Sequence, residues 1–188
     1  MTVNRLCGSG LQAIVSATQL LMLGDASITL AGGVEVMSNS AHIIQGFRWG
    51  TRMGDGNVHD MMLGALHDPF GHGHMGITAE NISDRYGISR DSQDEFALTS
   101  QKRASKAISD GLFKEQILPI EIKTRKGVNI FEIDEHPKPE TTLETLSNLR
   151  TAFKKEGVVT AGNASGINDG AAALILANEE KAKKGTPL

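Results

Sequence analysis

Leu11, Ile14, Val15, Ala17, Leu20 and Leu21 recur at intervals near helical spacing, with Ala13 and Met22 alongside and few polar residues between them. That pattern predicts a buried helix over about 9–23, stopped by Gly24. The run Ala26-Ser27-Ile28-Thr29-Leu30-Ala31 is short, apolar and β-rich, and Gly32-Gly33 ends it, so it reads as a buried strand. A helix followed closely by a strand points to a layered α/β core. From about residue 36 to 156 the chain is polar and rich in Gly, His and Asp. Helices are expected there over 75–86, with Gly87 as the stop, and over 89–109. For the second, Ser89 is the N-cap, Asp91 and Asp94 lie near the positive end, and Gly111 is the stop. Phe96, Ala97, Ala104, Ala107 and Ile108 give that helix one apolar side. A strand is expected over 117–122 and a short helix over 143–153. Core character returns with β-branched Val158-Val159-Thr160, a turn-like Asn163-Ala164-Ser165-Gly166, a buried strand over 171–177 and a helix starting at 179. A core begins, a long excursion interrupts it, and the core resumes, which gives three segments: 1–35, 36–157 and 158–188.

Composition narrows the class. The 188 residues suffice for one domain carrying a large insertion. A net charge of -3 offers no attraction to a phosphate backbone or an anionic lipid surface, so neither nucleic acid nor membrane is expected as a partner. No apolar run is read as approaching the roughly 18 residues of a membrane span, and the first six residues hold no apolar signal core. Cys7 is the single cysteine, so no internal disulfide supports the fold, which fits a reducing, cytoplasmic setting.

Cys7 is also the first candidate for chemistry. It stands at the start of the first expected helix, where unpaired N–H groups favour a thiolate. Gly8, Ser9 and Gly10 leave room for a substrate to approach the sulfur. The alternative is a buried structural cysteine. Cys7-Gly8-Ser9-Gly10 faintly echoes a cysteine peptidase, with His136 and Asn163 downstream, but the expected second cysteine and aromatic residue are missing. His59, His67, His72 and His74, with Asp60 and Asp68, form a His-rich stretch that offers a metal-binding alternative; no helical zinc motif accompanies it, and no metal ligand is assigned.

The stretch Val3-Asn4-Arg5-Leu6-Cys7-Gly8-Ser9-Gly10-Leu11-Gln12-Ala13-Ile14 resembles the acyl-binding cysteine signature of the thiolase family. Gly73-His74-Met75-Gly76-Ile77-Thr78-Ala79-Glu80-Asn81 resembles the same family's pantetheine-side motif. The stretch from Val159 to Ala172, around Asn163-Ala164-Ser165-Gly166, is similar to its substrate loop. Three motifs in order are more specific than any one of them. The resemblance implies a partial thiolase fold, an incomplete α/β/α core layer carrying a large loop-type α+β insertion. It implies an acyl-CoA acyltransferase that forms acetoacetyl-CoA or cleaves a 3-ketoacyl-CoA through an acyl-cysteine. Acetyl-CoA, acetoacetyl-CoA or a 3-ketoacyl-CoA would be the substrates, with no cofactor held permanently and a homodimer or homotetramer as the assembly.

Residue by residue, the resemblance makes Cys7 the acyl carrier, with its own N–H as an oxyanion donor. His74 and Met75 would line the CoA tail or acyl pocket; the other reading of His74 is a capping or packing residue. Phe153 would flank the adenine or pantetheine, the alternative being a core phenylalanine. Ser165 would bond the pantetheine arm, with Ala161, Ala164 and Gly166 leaving it space. Lys138, with Lys123, Arg125 and Lys126, is a candidate for the CoA phosphates; related enzymes often carry arginine near Lys138, and lysine gives up the bidentate geometry. The family's other catalytic histidine and second cysteine belong to motifs that do not occur in these residues. The expectation is therefore that these residues alone are inactive and marginally folded, with apolar faces exposed; the alternative function is a non-catalytic CoA-binding or oligomerising remnant that associates through the loop-type insertion.

Overall fold

The computed structural model describes residues 1–185. In chain order its elements are α1 (Ser9–Leu23), β1 (Ile28–Val36), β2 (His42–Ile44), β3 (Val58–Asp60), α2 (Met61–Ala65), β4 (His67–Asp68), β5 (Gly73–His74), α3 (Met75–Tyr86), α4 (Arg90–Ser109), β6 (Ile120–Thr124), β7 (Gly127–Phe131), α5 (Leu143–Ser147), β8 (Asp169–Ala177) and α6 (Glu179–Lys184). They form two compact units, one of Met1–Ala65 with the stretch from Ile167 onward, the other of Leu66–Gly166. The change of character in the sequence falls elsewhere, at 35/36 and 157/158.

In the first unit α1 runs over the expected residues. It ends because Gly24 takes a φ of 77°, a left-handed conformation that costs glycine little, and turns its N–H back onto the carbonyls of Leu20 and Leu21. β1 pairs antiparallel with β8, from Ile28 opposite Ala177 to Val36 opposite Asp169. The glycine pair expected to end this strand lies in its middle. A Cβ on Gly32 would stand 2.7 Å from the Ala172 carbonyl oxygen, and one on Gly33 3.6 Å from Gly10 Cα. Glycine here marks a close approach of backbones rather than a stop.

Two further expectations are corrected in this unit. Of its described apolar residues only Ala17 and Ala31 are buried, while Leu11, Met22, Leu23, Leu30, Leu174 and Ile175 face outward, so neither α1 nor β8 is the buried element expected. The window Leu6–Leu23 is also long and apolar enough to cross a membrane by length and composition, with a mean hydropathy of 1.4. Only Ala17 of α1 is buried, and the helix lies against β1.

In the second unit α3 and α4 follow their caps. His74 Nδ1 accepts the Gly76 N–H at 3.0 Å and starts α3, and Gly87 ends it at a φ of 64°. Ser89 Oγ accepts the Ser92 N–H at 3.2 Å and starts α4. The strand expected over 117–122 is β6, shifted to Ile120–Thr124, and it pairs with β7 in a hairpin. The basic run 123–126 spans that hairpin's turn. The helix expected over 143–153 is shorter. A capping box between Thr142 and Thr145 starts α5, and the chain turns after Ser147, where Arg90 draws the carbonyls of Leu146 and Leu149 to its guanidinium at 2.6 and 3.2 Å.

Candidate active site

Cys7 is exposed and unpaired, on the turn that enters α1. Leu6, just before it, has a φ of 49°, the one non-glycine residue at positive φ among those described. A leucine in that region costs on the order of 1–3 kcal/mol, so its surroundings must hold it there. They do so with local hydrogen bonds. Leu6 N–H donates to Asn4 Oδ1 at 2.9 Å, and Arg5 N–H donates to Ser9 Oγ at 2.8 Å. Ser9 Oγ donates to the Leu6 carbonyl at 2.7 Å, and Gly8 N–H to the Arg5 carbonyl at 3.0 Å. The Arg5 side chain is fastened by Gln12 Oε1 at 2.8 Å. The result is a sharp elbow with the thiol at its tip. Gly8, the N-cap of α1, supplies no side-chain acceptor to the first turn, and the Ser9 N–H turns back to the Leu6 carbonyl at 3.0 Å.

In the second unit the head of α3 packs against Phe153, and Glu80 further along the helix holds Val158 and Val159. The His74 ring stacks on Phe153 with centroids 4.8 Å apart, and His67 meets His74 edge to face at 5.1 Å. Because Nδ1 of His74 accepts a hydrogen bond, its proton is carried on Nε2. His74 thus caps α3 and stacks on Phe153. Gly76 is buried under the Phe153 ring, and a Cβ there would lie 2.3 Å from it. Met75 is exposed next to them.

Ala161, Ala164, Ser165 and Gly166 lie on a loop whose backbone is fixed by side chains. Asn163 Oδ1 accepts the Thr160 N–H at 2.7 Å, and its Nδ2 donates to the Val158 carbonyl and to Asp94 Oδ1, both at 3.0 Å. Thr160, with no exposed surface, accepts the N–H groups of Gly162 and Asn163 on Oγ1. Leu146 and Leu149 press on Gly162, where a Cβ would meet them at about 2.5–2.6 Å. Asp94, 3% exposed, takes Arg90 Nε on its other oxygen at 2.7 Å. Ser165 is exposed, its hydroxyl turned to the Gly166 carbonyl at 3.2 Å. Lys138 is exposed, its N–H donating to Gln101 Oε1 at 2.9 Å. The structure thus joins His74 to Phe153 and orders the loop bearing Ser165. Among the described residues no three His, Cys, Asp or Glu side chains converge on a metal position.

The sequence reading gave no role to Glu80 or Arg90, named Asn163 only as a turn residue and in the peptidase alternative, and read Asp94 only as a charge at a helix end. Glu80 is 1% exposed; its carboxylate accepts Val158 N–H at 2.9 and 3.1 Å and Val159 N–H at 2.9 Å. The available signal was spacing: Gly76, Glu80 and Ser83 fall on one stripe of α3, and that stripe is the buried one.

Residues 1–180 match the family model for the thiolase N-terminal domain. The chain is 54% identical to the beta-ketothiolase BktB of Cupriavidus necator over 185 residues, 98% of this chain and 47% of that protein. It superposes on the Bacillus anthracis acetyl-CoA acetyltransferase with a TM-score of 0.92 at 48% identity, covering 97% of this chain and 46% of that one. A human mitochondrial 3-ketoacyl-CoA thiolase in complex with CoA gives a TM-score of 0.91 at 43% identity, with coverage of 97% and 46%. The chain spans about half the length of the relatives it matches. With an α/β architecture that superposes on solved thiolases and a cysteine elbow in the matched region, the chain belongs to the thiolase family.

Proposed function

We propose that this chain provides the acyl-accepting cysteine and the CoA-binding surface of a thiolase that forms acetoacetyl-CoA or cleaves a 3-ketoacyl-CoA. The observation that carries the reading is the exposed Cys7 thiol, held at the tip of a strained elbow at the start of α1. In the synthetic direction Cys7 Sγ attacks the thioester carbonyl of acetyl-CoA. The new S–C bond forms as the CoA thiolate leaves, and the product is acetyl-Cys7. A second acetyl-CoA loses its α proton to a general base, a role that Cys7, already acylated, does not fill. Its carbanion attacks the acetyl-Cys7 carbonyl, a C–C bond forms, and the Cys7 thiolate leaves. In the reverse direction Cys7 Sγ attacks the 3-keto carbonyl, the C2–C3 bond breaks, the acetyl-CoA carbanion leaves and is protonated, and the thiolate of free CoA takes the acyl group as the Cys7 thiolate leaves. A thiolate suits both directions because it attacks well and leaves well. The Cys7 N–H at the helix start is assigned as an oxyanion donor.

The CoA arm is assigned to Ser165, with Ala161, Ala164 and Gly166 giving it clearance, and to Met75, His74 and Phe153; Lys138 is assigned to a CoA phosphate. A solved relative in complex with CoA supports CoA as the ligand. A free thiol in working form needs a reducing compartment, which supports a cytoplasmic setting, and the proposed assembly is a homodimer or homotetramer. The test is intact-mass analysis after incubation with acetyl-CoA or acetoacetyl-CoA. A single added acetyl group that maps to Cys7 and disappears in Cys7→Ala is the expected result. Cys7→Ala should also lower any turnover by roughly three orders of magnitude or more. A folded protein whose Cys7 never gains the group would refute the proposal.

A further inference from the structure

Glu80 is a carboxylate sealed inside the second unit, and what it holds is two consecutive backbone N–H groups, those of Val158 and Val159. A buried charge is costly unless it is fully hydrogen-bonded, and a single neutral acceptor would satisfy only part of this demand. The Val158–Val159 peptide is gripped from both sides, since the Val159 N–H donates to Glu80 Oε1 and the Val158 carbonyl accepts from Asn163 Nδ2. Asn163 in turn fixes Thr160, and Thr160 fixes Gly162 and Asn163 itself. The conformation of the loop that carries Ser165 is therefore set from Val158. The other end of the same carboxylate is anchored in α3, whose head, roughly one and a half turns away, carries His74 and Met75. Space is shaped to the clamp: a Cβ on Gly157 would stand 2.2 Å from Glu80 Oε1.

We propose that Glu80 is a positioning residue for CoA binding, one that holds the loop of Ser165 in register with the α3 head so that both meet the same pantetheine arm. This rests on the thiolase reading above. Glu80 acts through Val158, Val159 and the loop that follows.

The experiment compares the protein with its Glu80→Gln variant. Three quantities are read: the acetyl-CoA dependence of Cys7 acylation, Cys7 alkylation by iodoacetamide, and amide exchange at Val158 and Val159. Iodoacetamide is small and needs no CoA surface. The expected result for Glu80→Gln is a roughly tenfold rise in half-saturating acetyl-CoA, with maximal acylation and alkylation within about twofold of the parent and both amides exchanging faster. An unchanged half-saturation, with the parent protein acylated normally, overturns the role of Glu80 and leaves the thiolase reading standing. A parent that iodoacetamide alkylates but acetyl-CoA never acylates overturns both. If Glu80→Gln does not fold, Gly157→Ala displaces the clamp from the opposite side, and an unchanged half-saturation in that folded variant overturns the proposal equally.

Discussion

Asp169 shows how one side chain can lock a strand end. Its two oxygens accept the N–H and the hydroxyl of Ser38, and these bonds, the hydroxyl's first, hold its carboxyl below the ordinary 3.8. A carboxylate whose folded pKa lies below its unfolded one stabilises the fold above the unfolded value and loses that contribution as pH falls through the folded one. Ser38→Ala should therefore be less stable than the parent at neutral pH, and the difference should close as the solution is acidified past the folded pKa. Urea unfolding across a pH series reads this; a difference that stays constant into strong acid would refute it. Neither Ser38 nor Asp169 stood out in the sequence, because a carboxylate and a hydroxyl so far apart give no local pattern. Cys7 was legible for the opposite reason: its small neighbours and the helix behind it are adjacent in the chain. Glu80 lay between these cases. It sat inside a motif read for its other residues, and only the buried stripe with Gly76 and Ser83 marked it.

Among the elements, α1, α3 and α4 were legible almost to the residue, since Gly24, Gly87 and Ser89 are local signals that act on the chain next to them. β1 and α5 were not, because distant partners set their ends. Gly32 and Gly33 resemble a strand stop until β8 and α1 are brought against them. α5 is cut short by a guanidinium from Arg90, far earlier in the chain. The two glycines should separate in experiment. Gly32→Ala places a methyl group against a backbone carbonyl that has no side-chain freedom to yield, and should cost about 1–3 kcal/mol. Gly33→Ala meets Gly10 only at ordinary contact distance and should cost less. Equilibrium urea unfolding of the two variants measures the gap, and equal losses would argue that strand propensity rather than the Ala172 approach decides the cost.

At the scale of the molecule, the buried apolar set is small: Ala17 and Ala31 in one unit, Leu146 and Val159 in the other, among the described residues. Large apolar side chains of α1, β1 and β8 face outward, with Met22 82% exposed. Surfaces of that kind bind one another. The 188-residue chain on its own should gain mass with concentration in sedimentation and bind a fluorescent apolar dye, and Leu174→Lys should reduce both. A dye-silent monomer at all concentrations would contradict this. The sequence showed that a core was begun and resumed, but not which strands meet, since pairing across the excursion leaves no local trace. That pairing places Val36 directly opposite Asp169. The chain leaves the sheet and re-enters it at neighbouring positions, so whatever lies between is tethered at both ends to one fixed point. Closing a longer or shorter excursion there changes the entropic cost only logarithmically with its length. The β1–β8 junction should therefore tolerate changes of length in the excursion so long as Ser38, which holds Asp169 at the strand end, is kept.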